Sequence, residues 1–138
     1  MRIGGLLIIG FVAIGAGAAW AQDKTQDSTA AEKALQGTYT QNQACKGNGS
    51  DPANKLVTIR DKQVDSNFGP CMFGDKQWSG KVLKTSATCK NKTGATFDVS
   101  LEFTLKDDNT VEFLEEGSNY KSVLYRCANG AGAPAAGK

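Results

Sequence analysis

Ala95-Thr-Phe-Asp-Val-Ser-Leu-Glu-Phe-Thr-Leu105 sets the fold of this chain. Phe97, Val99, Leu101, Phe103 and Leu105 alternate with Asp98, Ser100, Glu102 and Thr104, the period-2 pattern of a strand with one buried and one wet face. A helix cannot use this pattern, because at 3.6 residues per turn the same apolar side chains would spread around its whole circumference.

Neighbouring segments supply partners for this central strand. Downstream, Lys106-Asp-Asp-Asn-Thr110 reads as a hairpin turn with Asn109 in the left-handed position. If Leu105 faces Val111 across it, Phe103 faces Phe113 in the same register. Upstream, Trp78 to Lys90 reads as one long strand with Leu83, Ala87 and Cys89 on one side and a bulge at Gly80. Asn91-Lys-Thr-Gly94 then turns the chain into the central strand. Earlier strands are expected at 37–45, Leu56 to Arg60 and Gln63 to Asn67, with Lys46 to Asn54 a loop on every local signal. Phe68-Gly-Pro-Cys-Met-Phe-Gly-Asp75 is apolar but broken by Gly69, Pro70 and Gly74, and reads as an irregular loop pinned by Cys71. The last strand, Tyr120 to Cys127, is expected to turn Val123, Tyr125 and Cys127 to the core. About seven strands in succession, with short turns and no crossover helices, define an all-β antiparallel domain, a small meander barrel or a strongly curled sheet.

The ends of the chain read differently. Arg2, the apolar run through Val12 and the ending Ala19-Trp-Ala21 form a secretory signal peptide over residues 1–21. The run is nearly long enough to span a bilayer, but its Gly and Ala content and its small-x-small ending favour cleavage. A periplasmic or secreted location follows, with no stable membrane insertion after cleavage. Residues 22–28 read as a flexible leader, and Thr29-Ala-Ala-Glu32 matches a capping box for a short helix ended by Gly37. Residues 29–127 form a single β domain, and the Gly- and Ala-rich residues 128–138 a disordered tail. Without Arg2 the basic excess falls to about +1, from +2 for the 138-residue chain. That balance offers no global electrostatic reason to bind nucleic acid.

Cys45, Cys71, Cys89 and Cys127 are an even set, and an exported compartment is oxidising. A zinc site competes, but no C-x-x-C is present and the chain has no histidine. Four cysteines allow three pairings. Cys71 and Cys89 flank one hairpin-like segment, whereas Cys45 and Cys127 end the first and last strands, which favours 71 with 89 and 45 with 127.

Histidine-dependent triads and zinc-hydrolase sites lack an essential part. Asp98 and Glu102 share a strand face as a glycosidase pair would, yet such residues are ordinarily solvated or paired with lysine, as Lys84 with Glu102 would be. Asp65-Ser-Asn67 offers calcium two oxygens but lacks the closing Glu. No catalytic residue, cofactor or metal is therefore expected. The remaining candidate is the loop bearing Phe68, Met72 and Phe73, followed by Trp78, which is either a disulfide-held apolar binding patch or a plug for the barrel end.

The signal peptide, Gly37-x-Tyr39, the four cysteines and the closing Tyr125-Arg-Cys127 resemble small exported four-cysteine β-proteins of Gram-negative bacteria. Over about residues 30 to 127 the plan is also similar to the periplasmic metalloprotease-inhibitor barrels. Tyr39 stands where those inhibitors have Trp, and four cysteines stand where they have a single disulfide, so no functional residue is carried over. With no catalytic constellation and an aromatic loop left over, the expected function is that of a non-enzymatic exported binding module acting on a protein partner, an inhibitor among the options. A small-ligand carrier using the barrel interior is the competing class; Phe97, Leu101, Phe103 and Phe113 are expected to fill much of so small a barrel, and a cavity of several hundred Å3 lined by them would reverse the preference. An envelope-associated structural or stress protein is the third.

Overall fold

The structure, a computed structural model, describes residues 23–128. The signal peptide and all but the first residue of the C-terminal tail lie outside the described residues. Eight antiparallel strands follow one another around a closed barrel: β1 Gly37–Gln41, β2 Leu56–Ile59, β3 Gln63–Ser66, β4 Gly69–Ser79, β5 Val82–Lys90, β6 Thr96–Asp107, β7 Thr110–Glu115 and β8 Tyr120–Arg126. Closure is made by β1 with β8, which pair Tyr39 with Arg126, Thr40 with Tyr125 and Gln41 with Leu124. Among the described residues, a helix, α1, Asp23–Leu35, lies ahead of β1.

The central strand behaves as its alternation requires. Leu101 and Phe103 are buried while Asp98 and Ser100 face water, and Phe103 lies opposite both Leu83 of β5 and Phe113 of β7. Leu105 pairs with Val111, the expected register. On the wet face Lys84 meets Glu102 at 3.0 Å. Both disulfides join the expected cysteines, Cys45 to Cys127 and Cys71 to Cys89. Separations of 82 and 18 residues make them worth about 4 to 5 and about 3 kcal/mol in a chain-entropy account.

The extra strand comes from the segment expected to be an irregular loop. β4 runs unbroken from Gly69 to Ser79, and Gly80 (φ +58°) opens a two-residue turn into β5 where a single strand with a bulge was expected. Each apparent breaker has a place in this strand. Pro70 sits at its start, before the pairing with β5 begins at Cys71. Gly69 runs so close to the end of β5 that a Cβ there would overlap the Lys90 carbonyl. Gly74 falls in a bulge between Phe73 and Lys76, where a Cβ would meet the Ser86 hydroxyl.

Three smaller expectations also change. Asn109 does not take the left-handed position; its N–H donates to Asp107 Oδ1 at 2.8 Å, and Asn119 (φ +56°) is the left-handed residue, in the next turn. On β8 the inward residues are Ser122 and Leu124, not Val123 and Tyr125, because Leu124 pairs with Val111 in the core. Residues 23–28 are helical instead of a leader, since nothing from Asp23 to Thr29 is Gly or Pro and the helix can extend upstream of the capping box.

Polar tethers at its C-terminal end hold α1 to the barrel. Leu35 enters the core. The Arg126 guanidinium donates to the carbonyls of Ala34 and Gln36, the last at 2.7 Å, to Asp108 O at 2.9 Å and to the Tyr39 hydroxyl at 2.6 Å, while stacking 4.8 Å from the Tyr39 ring centre. Gly37 leaves the space that this guanidinium fills. Tyr39 donates in turn to Leu35 O at 2.6 Å; burial pushes its phenol up, the nearby Arg126 charge partly opposes this, and it remains a donor at neutral pH. A second tether joins Lys76 of β4 to Glu32 of α1 and to Asp61 in the β2–β3 turn. Burial alone would lower the Lys76 pKa, but hydrogen bonds and charge from Glu32 and Asp61 outweigh it and hold it above the ordinary value.

The 42–55 segment covers the outside of the seam between β1 and β8. Thr40, on the outer face of β1, is wholly buried, and its hydroxyl donates to Gln43 O at 2.6 Å. Asp51 organises this segment by accepting the N–H groups of Lys46 and Gly47, both at 2.9 Å. Those bonds hold its carboxyl below the ordinary 3.8.

Two measurements check these assignments. Arg126→Ala strips a charged donor from several carbonyls, and urea melts are expected to show a loss of at least about 1.5 to 3 kcal/mol, with faster proteolysis within residues 23–35. Because the Asp51 pKa falls on folding, its stabilisation is complete above the unfolded value and is lost as pH falls through the folded one. Urea melts from pH 6 downward should therefore show stability dropping below about pH 4, and Asp51→Asn should flatten that drop.

Candidate functional site

The barrel interior divides into two halves. At the end where α1 and the β2–β3, β4–β5 and β6–β7 turns gather, Tyr39, Ile59, Leu83, Phe103 and Val111 are almost fully buried and pack solidly. Trp78 and Phe73 of β4 complete that half, partly buried against the core. Towards the other end the inward side chains are smaller, and the space between them is a cavity of about 660 Å3.

Val57, Val64, Val99, Leu101, Phe113 and Leu124 form its walls, together with the Cys71–Cys89 disulfide, and Phe103 closes it below. Phe97, Leu101, Phe103 and Phe113, the four residues expected to fill the interior, line this cavity instead, because their side chains leave space between them. Its mouth is ringed by Gln41, Ser66, Phe68, Glu115, Ser118 and Asn119 of the β7–β8 turn, and Tyr120 and Lys121 at the start of β8. The aromatic rings run as a connected series from the packed half to the mouth: Phe73 to Phe103 at 5.9 Å, Phe103 to Phe113 at 5.3 Å and Phe113 to Tyr120 at 6.3 Å.

Among the described residues five large apolar side chains are exposed, and three of them stand at this mouth: Phe68 at 66 %, Phe97 at 45 % and Tyr120 at 39 %. Exposed single apolar residues need no explanation, but a cluster around an apolar opening does. Phe97 is exposed despite lying on the inward face of β6, because it is the first inward residue of the strand and reaches the rim.

The expected aromatic binding loop does not form one surface. Phe68 is at the rim, Met72 is 49 % exposed on the outer face of β4, and Phe73 and Trp78 turn inward. The strand character of β4 is the reason, since alternate residues of a strand must point to opposite faces. The indole N–H of Trp78 is buried without a hydrogen-bond partner.

Other candidate chemistry is used up by the structure. Cys45, Cys127 and Asp51 converge, but both sulfurs are in a disulfide and Asp51 accepts two backbone N–H groups. Asp65 is bonded to Arg60 and Gln63, and Asn67 to Lys92, which takes up the oxygens of the calcium-like Asp65-Ser-Asn67 stretch. Asp98 accepts from the Thr88 hydroxyl at 2.7 Å and Glu102 pairs with Lys84, so these two carboxylates serve their own sheet face. A smaller hollow of about 280 Å3 lies outside the barrel beside the Gly74 bulge, among Asp75, Gln77 and the ion-paired Lys84 and Glu116. Its lining is mixed, with Leu101 among polar residues, and its Lys84 is shared between Glu102 and Glu116.

No family model, curated protein or solved structure matches this chain. Among the described residues no helix is long and apolar enough to cross a membrane.

The division between β4 residues can be measured. Phe73→Ala removes a ring packed edge-on against Phe103 and should cost about 3 to 5 kcal/mol, whereas Met72→Ala, one residue earlier and on the outer face, should stay within about 0.5 kcal/mol in the same denaturant melts.

Proposed function

We propose that this protein is a non-enzymatic exported carrier that holds one small, mainly apolar molecule inside the barrel. One observation carries the reading: an apolar cavity of about 660 Å3 opens through a mouth at which Phe68, Phe97 and Tyr120 are exposed. Its volume falls in the range of drug-sized ligand sites, roughly 300 to 1,000 Å3. Eight-stranded barrels are also the size at which the interior is either filled by side chains or holds one small ligand. Transfer of an apolar molecule from water into such a space is favoured at roughly 25 cal/mol per Å2 of apolar surface covered.

A protein-binding module is supported less well, because its expected patch is divided between two faces of β4. Export is in keeping with the two disulfides, which persist in oxidising compartments.

The neutral fluorophore N-phenyl-1-naphthylamine, which brightens in apolar surroundings, tests the proposal. It is expected to bind the protein saturably with one site per chain. Ser66→Trp, which sets an indole across the mouth, should weaken binding by at least about tenfold with little change in the thermal melt. No saturable brightening with the wild-type chain, or unchanged binding by the Ser66→Trp variant, would sink the proposal.

A further inference from the structure

Resting on the carrier reading above, we infer that the cavity selects molecules whose polar end is a cation, such as an alkyl- or arylammonium group, with Glu115 as its counter-charge. Val111, Phe113 and Glu115 alternate along the inner face of β7, so the strand that supplies apolar wall to the cavity ends in an inward carboxylate. Glu115 lies opposite Leu101 on one side and Tyr120 on the other, and all three line the cavity. It is partly buried.

The neighbouring acids on the outer face are matched to lysines: Glu102 and Glu116 to Lys84 at 3.0 and 3.2 Å, and Glu112 to Lys106 at 3.4 Å. Glu115 has no ion pair or side-chain hydrogen bond among the described residues. A carboxylate in that position keeps its water through the mouth. A ligand entering the cavity displaces part of that water, and what replaces it decides selectivity.

An anionic end would meet the carboxylate with repulsion, and a neutral end would leave it partly dehydrated. An ammonium group replaces the water with a charge-assisted hydrogen bond. It also lies within reach of the Tyr120 and Phe113 rings, whose faces attract cations. Lys121 is the competing charge at the mouth. It belongs to the outward-facing set of β8, opposite Leu114, and makes no ion pair with Glu115. Its exposed chain can follow water away from an arriving cation.

Displacement of N-phenyl-1-naphthylamine by octylammonium, 1-octanol and octanoate, three molecules with the same tail, tests the inference. Octylammonium should displace the fluorophore at a concentration at least about tenfold below that of octanoate, which corresponds to about 1.4 kcal/mol. With each displacement referred to the same variant's own fluorophore affinity, Glu115→Gln should abolish that preference, Glu115→Asp should keep its direction, and Lys121→Gln should preserve or widen it. Equal displacement by the three molecules, or a preference that survives Glu115→Gln, would overturn the inference and leave the carrier reading standing. A wild-type chain that binds no fluorophore would overturn both.

Discussion

Closure of the barrel depends on a seam that no turn connects. β1 and β8 come from opposite ends of the domain and share only three paired positions, against nine between β5 and β6. Three pairs cannot by themselves meet the entropy of bringing the ends of a chain together. The seam is secured from both sides instead. On the inside, Arg126 joins β8 to the Tyr39 ring of β1 and to the helix end; on the outside, the Cys45–Cys127 bridge and the 42–55 segment cover the strands. Without that closure there is no enclosed interior, and the inward aromatic side chains would become one face of an open sheet with two unpaired edges.

The interior is shaped by where volume is spent. The inward positions near α1 carry Tyr39, Leu83, Phe103 and Trp78, whereas those nearer the mouth carry Val57, Val64, Val99 and a disulfide. Barrels of one girth can be solid or hollow, and the difference lies in side-chain size at these positions. The same asymmetry accounts for the exposed rim: Phe97 continues the apolar phase of β6 past the point where the opposite wall can cover it.

Sequence patterning conveyed the parts of this fold governed by local physics. The period-2 alternation of residues 97–105, the facing of Phe103 with Phe113 and the pairing of cysteines all follow from rules that act over a few residues or from strand order. β4 was illegible because Gly69, Pro70 and Gly74 act there through long-range contacts, a close approach to Lys90 and a bulge over Ser86, while locally each reads as a breaker. On β8 both faces carry apolar residues, so the phase could be set only by the partner strand. The cavity was half visible: its aromatic lining could be named, but whether space remained among those rings depends on three-dimensional packing. Glu115 did leave a signal, an acidic residue in phase with Val111 and Phe113, and phase is the property that distinguishes an inward carboxylate from the outer ones.

The Cys71–Cys89 bridge makes the two lips of the mouth mechanically unequal. It ties β4 to β5 within the cavity wall, and β5 continues into the longest pairing in the barrel, so that side is a fixed jaw. Across from it, the lip between β7 and β8 ends in a turn around Glu116 to Asn119 with no covalent tie. Under the carrier reading proposed above, a held molecule would leave past the lip that carries no covalent tie. Under that reading residence time, which carries most of the variation in affinity among related complexes, would depend on the four-residue turn between β7 and β8. Changes confined to that turn would then retune release while leaving the wall of the barrel untouched.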